Sequence, residues 1–229
     1  MSRATASYAA LIPALDCGAT IADVVKGCLE HLGRVLVVDD GSTDATAEEA
    51  RAAGAEVRSH GRNLGKGAAL GSGLRYLEGR GVSHAVSLDG DGEHFPAEIP
   101  KLVSASLERS GALVLGSRPS DSTAAAINRF GNEFANVWVR IATGRDLGDT
   151  QCGLRVYPIA ATLALSPIGR RFDFETEILI RAARAGWEIR SVPVRVYYPP
   201  PELRRSHYDK FWDTLRIIEM VVGLMLRLR

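Results

Sequence analysis

Apolar positions in the first half of the chain follow two alternating rhythms. Short, mainly apolar runs occur at Tyr8–Ile12, Arg34–Val38, Ala85–Leu88 and Ala112–Leu115, and Ala55–Ser59 reads as a further short strand. Runs of four or five such residues, closed by Gly, Asp or Ser, predict strands buried on both faces. Between them, apolar residues recur at helical spacing over Ala19–His31, from Thr43 or Asp44 to Arg51, and over Gly65–Glu78 and Pro96–Leu107. Pro96 suits a first helical turn, where its missing N–H costs nothing. Strand–helix alternation with continuously apolar strands predicts an α/β fold: a mostly parallel sheet with helices on both faces.

The second half is less regular. Helical spacing returns at Thr123–Ala142, a loop follows over Thr143–Gln151, and Cys152–Tyr157 reads as a strand. A helix over Phe174–Ala185 and a strand over Glu188–Val196 precede a proline-rich loop, Tyr197–Arg205, and a last helix from His207 to the end. In that helix Phe211, Trp212, Leu215, Ile218, Val222 and Met225 form an apolar stripe, and beyond Ile217 the helix becomes apolar nearly all round. No internal repeat and no linker divides the chain.

Composition narrows the field. The 229 residues are 46% hydrophobic and 24% charged, enough for one good core. The net charge is +1, carried by 24 arginines and four lysines against 27 acids, which argues against a nucleic-acid partner. Cys17, Cys28 and Cys152 are sparse, odd in number and widely spaced, so a disulfide framework and a zinc site are not expected and a reducing, cytoplasmic setting is. No signal peptide opens the chain and no clean apolar window of 18 residues occurs; Ile217–Leu226 is short and holds Glu219.

Ligands of open α/β sheets bind beyond the carboxyl ends of the strands. Two acidic groups fall at such ends here: Asp39-Asp40 after the second strand and Asp89-Gly90-Asp91-Gly92-Glu93 after the fourth. Asp89, Asp91 and Glu93 offer oxygen at alternate positions, as a hard divalent cation requires, with glycines that permit the turn. An EF-hand is excluded, because its glycine and its last glutamate are missing and a strand precedes the loop. A solvated acidic turn has the same composition; the matching pair Asp39-Asp40 on another strand end favours a site. Gly61–Gly67 is not a P-loop, since three residues separate Gly61 from Gly65 and Gly67 replaces the hydroxyl residue. Lys66, at a helix start, is a candidate phosphate or ribose contact and equally an ordinary surface lysine.

Taken in order, these segments resemble the GT-A glycosyltransferases of family 2, in the dolichol- or polyprenyl-phosphate sugar synthase branch. Ile12-Pro13-Ala14-Leu15, Val37-Val38-Asp39-Asp40-Gly41-Ser42-Thr43-Asp44 and Asn63-Leu64-Gly65-Lys66-Gly67-Ala68-Ala69 match its I-P-A-x, V-V-D-D-G-S-x-D and N-x-G-K-G-x-A segments. Asp89–His94 stands where it has D-x-D-x-Q-H, and Gly116-Ser117-Arg118 where it has G-S-R. Asp149–Arg155 resembles its D-x-Q-x-G-F-R acceptor-side segment, and Glu175 and Glu177 lie in a stretch like its F-E-x-E-L helix. The chain departs from the pattern at Asp16-Cys17, where relatives carry Asn-Glu; at Glu93, where they carry Gln; and at Arg204-Arg205-Ser206-His207, where many carry Gly-x-Ser-Lys. C-terminal membrane spans of many relatives are also missing.

The resemblance implies a GT-A domain over residues 1–206 with an appended helix over 207–229. It implies transfer of a sugar, with inversion, from a GDP- or UDP-sugar to a polyprenyl- or dolichyl-phosphate acceptor. The alternative acceptor is a hydroxyl, and a nucleotide-sugar-binding protein without turnover is a third reading. Donor contacts are expected at Pro13, Ala14, Asp16, Asp39, Asp40, Lys66, Asp89 and Gly90, and Mg²⁺ or Mn²⁺ at Asp89, Asp91 and Glu93. Asp91, Asp149, Glu175 and Arg118 are expected to act in catalysis, with Asp149 or Glu175 as base if the acceptor is a hydroxyl. Acceptor or phosphate contacts are expected at Gln151, Arg155, Arg204, Arg205 and Ser206. The last helix is expected to pack on the domain or on a second copy of the chain, or to lie peripherally on the cytoplasmic face of a membrane. His94 and the cysteines are read as structural.

Overall fold

The computed structural model describes residues 7–109, 111–118, 136–197, 219–224 and 226. Among the described residues seven strands form one sheet: β1 (Tyr8–Ala14), β2 (Val35–Asp39), β3 (Glu56–Ser59), β4 (His84–Ser87), β5 (Leu113–Ser117), β6 (Arg155–Pro158) and β7 (Ile189–Pro193). Their order across the sheet is β3-β2-β1-β4-β6-β5-β7. All run parallel except β6, which is antiparallel to both neighbours.

The apolar runs alternate their side chains between two cores, as the pleat requires. Ala10, Ile12, Val35, Val37, Val86 and Leu88 pack under α1 (Ile21–Leu29) and α4 (Ile99–Glu108). Ala9, Leu11, Leu36, Val38, Ala85 and Tyr157 face α3 (Lys66–Gly79) and α6 (Asp173–Arg184). This is the doubly covered, mostly parallel sheet expected of the pattern. The chain reverses its direction of travel across the sheet between β1 and β4, and the crevice beyond their carboxyl ends is the place such sheets offer a ligand.

Several elements differ from the sequence reading for local reasons. The helix expected to follow a Thr43 or Asp44 cap begins at Thr46 as α2 (Thr46–Ala52), with the Asp44 carboxylate accepting from the Thr46 amide as a cap does and also from the Gly18 amide. Pro96–Glu98 is a separate 3₁₀ turn ahead of α4. The strand expected at Cys152 begins only at Arg155. A six-residue helix not expected at all, α5 (Ile159–Ala164), follows Pro158 directly. Of the expected helix Thr123–Ala142, the described part is helical over 136–143.

Of the last helix, 219–224 and 226 are described. Val221 and Leu224 are buried against Ile180 and Ala142, and the Arg184 guanidinium donates to the main-chain oxygens of Ala142 (2.8 Å) and Leu224 (2.9 Å). Val222 and Leu226 face away, 39% and 71% exposed. No described helix is long and apolar enough to cross a membrane.

Candidate active site

The antiparallel course of β6 shapes the site. Its amino end lies at the same sheet edge as the carboxyl ends of the other strands. Ser87 pairs with Arg155, and Ser87 Oγ donates to Gly153 O at 2.7 Å. Asp89 is therefore packed against the 149–155 segment so closely that a Cβ on Gly153 would sit 2.5 Å from its Oδ2.

Lys66 begins α3 beside it. Gly65 takes φ +101°, where a Cβ would lie 2.4 Å from Arg170 O, and a Cβ at Gly67 would lie 2.4 Å from Phe174 Cβ, so the start of α3 packs backbone to backbone against the start of α6 and the residues before it. That close approach puts Lys66 Nζ 2.7 Å from Asp89 Oδ1 and 2.9 Å from Glu175 Oε2 in the first turn of α6. Arg155, 1% exposed, completes the group. Its guanidinium donates to the carbonyls of Cys152 (2.8 Å), Thr150 (2.7 Å) and Glu175 (3.0 Å), and its Nε lies 3.6 Å from Glu175 Oε1. Two cations thus face two carboxylates. Burial opposes the Lys66 charge, but Asp89 and Glu175 outweigh it and hold its pKa above the ordinary lysine value. Burial likewise opposes the Asp89 charge, and Lys66 and the nearby His94 overturn it, leaving that carboxyl below the usual range.

Asp91 behaves in the opposite sense. It lies at the exposed mouth, its Oδ1 accepting from Glu93 N at 2.9 Å. Lost hydration together with the like charges of Asp89 and Glu93 pushes it up to about 7. A divalent cation would relieve that crowding, and an all-oxygen donor set of Asp89, Asp91 and Glu93 fits a hard cation. Among the described residues no three acidic, His or Cys side chains form a ready metal cage. Mg²⁺-type sites need none, because one or two carboxylates and substrate phosphates suffice.

A second acidic residue is firmly paired. Arg118, just past β5, grips Asp149 with Nε at 2.5 Å from Oδ2 and Nη2 at 2.8 Å from Oδ1. Burial would raise the Asp149 carboxyl, yet this fork-on-fork pair holds it below the ordinary value. Asp149 also accepts from the Gln151 amide, while Gln151 Nε2 donates to Thr150 Oγ1.

The expected donor contacts at the first two strand ends build a shelf. Ala14 O accepts from Asp40 N, next to Pro13 at the end of β1. Asp16 Oδ1 accepts from Thr43 N at 2.8 Å, and Asp39 Oδ1 from Ser42 N at 3.0 Å. Asp40, 3% exposed, accepts from Leu64 N and Gly65 N, with His60 Nδ1 at 2.6 Å. These carboxylates are spent on joining loops, and Asp40 secures the residue immediately ahead of Lys66. Gly90 O accepts from Thr20 Oγ1 at 2.6 Å, tying the acidic loop to the start of α1.

So Lys66, Asp89, Glu175 and Arg155 come together, with Gly90, Asp91 and Glu93 on the adjoining loop and Arg118, Asp149 and Gln151 alongside. Arg204, Arg205 and Ser206 lie outside the described residues. His94, read from the sequence as structural, is buried beside the site with Nδ1 3.8 Å from Asp89 Oδ2 and Nε2 3.5 Å from Cys152 Sγ. Burial keeps its pKa below the usual value and pushes the Cys152 thiol up to about 12. Its place directly after the acidic loop was the available signal. His60 was missed, and Glu177 was named only as part of the F-E-x-E-L-like stretch, with no role. The buried Glu177 holds the amides of Ile168 and Gly169 and so fixes the approach to α6.

A doubly covered, mostly parallel sheet with acids and a lysine at its switch point belongs to the class of open α/β folds that bind their ligand beyond the strand ends. Residues 9–161 match the family model for Glycosyl transferase family 2, and the chain belongs to that family. It is a glycosyltransferase of the GT-A fold. It is 31% identical over 208 residues to glycosyltransferase AglJ of Haloferax volcanii, covering 89% of this chain and 67% of that one. An undecaprenyl-phosphate 4-deoxy-4-formamido-L-arabinose transferase of Yersinia enterocolitica is 33% identical over 197 residues, covering 83% of this chain and 56% of its own length. The chain thus spans little more than half of that relative. Among solved structures, glucosyl-3-phosphoglycerate synthase of M. tuberculosis aligns with a TM-score of 0.74 at 23% identity, over 96% of this chain and 81% of that one. That enzyme has also been crystallised with Mn²⁺, uridine diphosphate and phosphoglyceric acid.

Proposed function

We propose that the protein transfers a sugar from a GDP- or UDP-sugar to the phosphate of a polyprenyl-type lipid, inverting the anomeric carbon in one displacement. A phosphate oxygen of the acceptor attacks that carbon as its bond to the nucleoside diphosphate breaks. The observation that carries this reading is the state of the two candidate bases. Asp149 is locked to Arg118, and Glu175 lies between Lys66 and Arg155. A hydroxyl acceptor needs a base to take its proton, whereas a phosphate is already anionic. The relatives named as undecaprenyl-phosphate transferases support the same acceptor class.

In this reading the end of β1 at Pro13 and Ala14, with the loops that Asp16, Asp39 and Asp40 hold in place, carries the base and ribose. Lys66 faces the donor diphosphate, and Asp89, Asp91 and Glu93 hold Mg²⁺ or Mn²⁺, which offsets the charge building on the departing diphosphate. Arg118 steers the incoming phosphate from its place beside Asp149. Arg204, Arg205 and Ser206 are the proposed further contacts of the acceptor phosphate. Residues 1–206 form the transferase domain, and 207–229 bring it to the membrane surface where such a lipid resides.

The test is release of nucleoside diphosphate from a panel of UDP- and GDP-sugars with Mn²⁺, with and without a short polyprenyl phosphate. Asp91→Ala protein and EDTA serve as blanks. Metal-dependent release that rises with the lipid phosphate is expected. Metal-dependent release indifferent to the lipid would move the acceptor to a hydroxyl, and no release from any donor would overturn the reading.

A further inference from the structure

Before any donor arrives, the charges of the inner site are already balanced. Lys66 spans Asp89 at 2.7 Å and Glu175 at 2.9 Å, and Arg155 stands 3.6 Å from the other oxygen of Glu175. The lysine cannot simply retire. Its helix start is wedged between Arg170, Arg171 and Phe174 by Gly65 and Gly67, its side chain is only 18% exposed, and the Phe172 ring lies 5.9 Å from its ammonium. Arg155 is equally fixed, by three main-chain carbonyls. A divalent cation arriving alone therefore meets Asp89 with an ammonium already on one oxygen and Gly153 packed against the other. It is repelled by that ammonium at short range, in a setting where water screens poorly. A cation arriving with a diphosphate brings its own oxygen ligands and gives Lys66 a third anion to face.

We infer that Lys66 is a specificity-determining residue that makes occupation of the Asp89–Asp91–Glu93 loop by a divalent cation conditional on a nucleoside diphosphate. Metal and nucleotide then bind as a unit, and the coupling is reciprocal: each tightens the other by the same factor. The inference rests on the nucleotide-sugar reading above and adds the order in which the site is filled.

The experiment is Mn²⁺ titration of the full-length protein, followed by electron paramagnetic resonance of free Mn²⁺, alone and with saturating UDP or GDP. Wild type, Lys66→Gln and Lys66→Arg are compared, with circular dichroism confirming that each is folded. In wild type one of the two diphosphates tightens Mn²⁺ at least about tenfold. Lys66→Gln binds Mn²⁺ alone about tenfold more tightly than wild type, since a like charge has been removed from beside the ligand, so a diphosphate tightens Mn²⁺ by a smaller factor than in wild type. Lys66→Arg keeps the cation and stays close to wild type. Lys66→Gln binding Mn²⁺ alone no better than wild type would overturn the inference. So would a wild-type protein whose Mn²⁺ affinity neither diphosphate changes. In that second case, sugar-donor turnover in the same preparation separates the two claims: turnover leaves the transferase reading standing, and none removes both.

Discussion

A carboxylate held by a bidentate arginine is a poor place to put a proton, and Asp149 is in that position. Its carboxyl lies below the ordinary aspartate value because Arg118 overcomes the cost of burial. The pair therefore contributes stability at all pH values above the unfolded aspartate pKa of about 4, and loses it as pH falls through the lower folded value. The stability gap between wild type and Asp149→Asn, from urea denaturation, should be constant from neutral pH to about 5 and close toward pH 2. The same variant tests chemistry. If the acceptor is a phosphate, Asp149→Asn slows transfer without removing the acid limb of the pH–rate profile, whereas loss of that limb would make Asp149 the base. Most residues of this neighbourhood were legible as residue types, but their partners were not. Nothing in the order of the chain says that Arg155 spends its donors on Thr150, Cys152 and Glu175. An arginine in an acceptor-like segment reads as a phosphate contact until burial shows it to be a joint.

At the scale of elements, the meeting of α3 and α6 decides where Lys66 and Glu175 stand. Gly67 sits inside a helix, where alanine would ordinarily gain about 1 kcal/mol. Here a Cβ would lie 2.4 Å from Phe174 Cβ and 2.7 Å from Arg171 O, and overpacking against backbone costs about 1–3 kcal/mol. The clash wins. Gly67→Ala should lower the urea midpoint and weaken donor binding together, and a more stable Gly67→Ala protein would show that the two helices can separate at no cost. Strand positions were legible because runs such as Val35–Val38 are apolar on both faces, which few elements other than a central strand require. The direction of β6 was not, since a strand's polarity in the sheet leaves no mark on its own residues. The short α5 was missed because six residues give too little periodicity to register.

For the molecule as a whole, a formal charge of +1 leaves no long-range field to bring it to a membrane, so a surface has to be held by local features. The described end of the chain has two faces: Val221 and Leu224 are packed inward, while Val222 and Leu226 point out, with Val137 and Ile141 also exposed on the 136–143 helix. An apolar face of this kind binds the interfacial region of a bilayer when it is not covered by protein. Full-length protein should float with anionic liposomes, and a chain ending at Arg216 should float less. Equal flotation would remove the membrane role, and a shift from dimer to monomer on truncation would assign the face to a second copy.

The reversed strand has one more consequence. β5 ends and β6 begins at the same end of the sheet, so the chain leaves at Arg118 and comes back at Arg155 on the side of the site. A parallel partner would have forced a crossover to the far edge. The stretch is in effect a cassette with two adjacent sockets. Its returning part is anchored, since Cys152 and Leu154 belong to the core under α1 and α4 and Ala142 and Val139 pack against Ile180 and Ala183 of α6, so a graft from a relative that keeps those four residues is the one that leaves the fold standing.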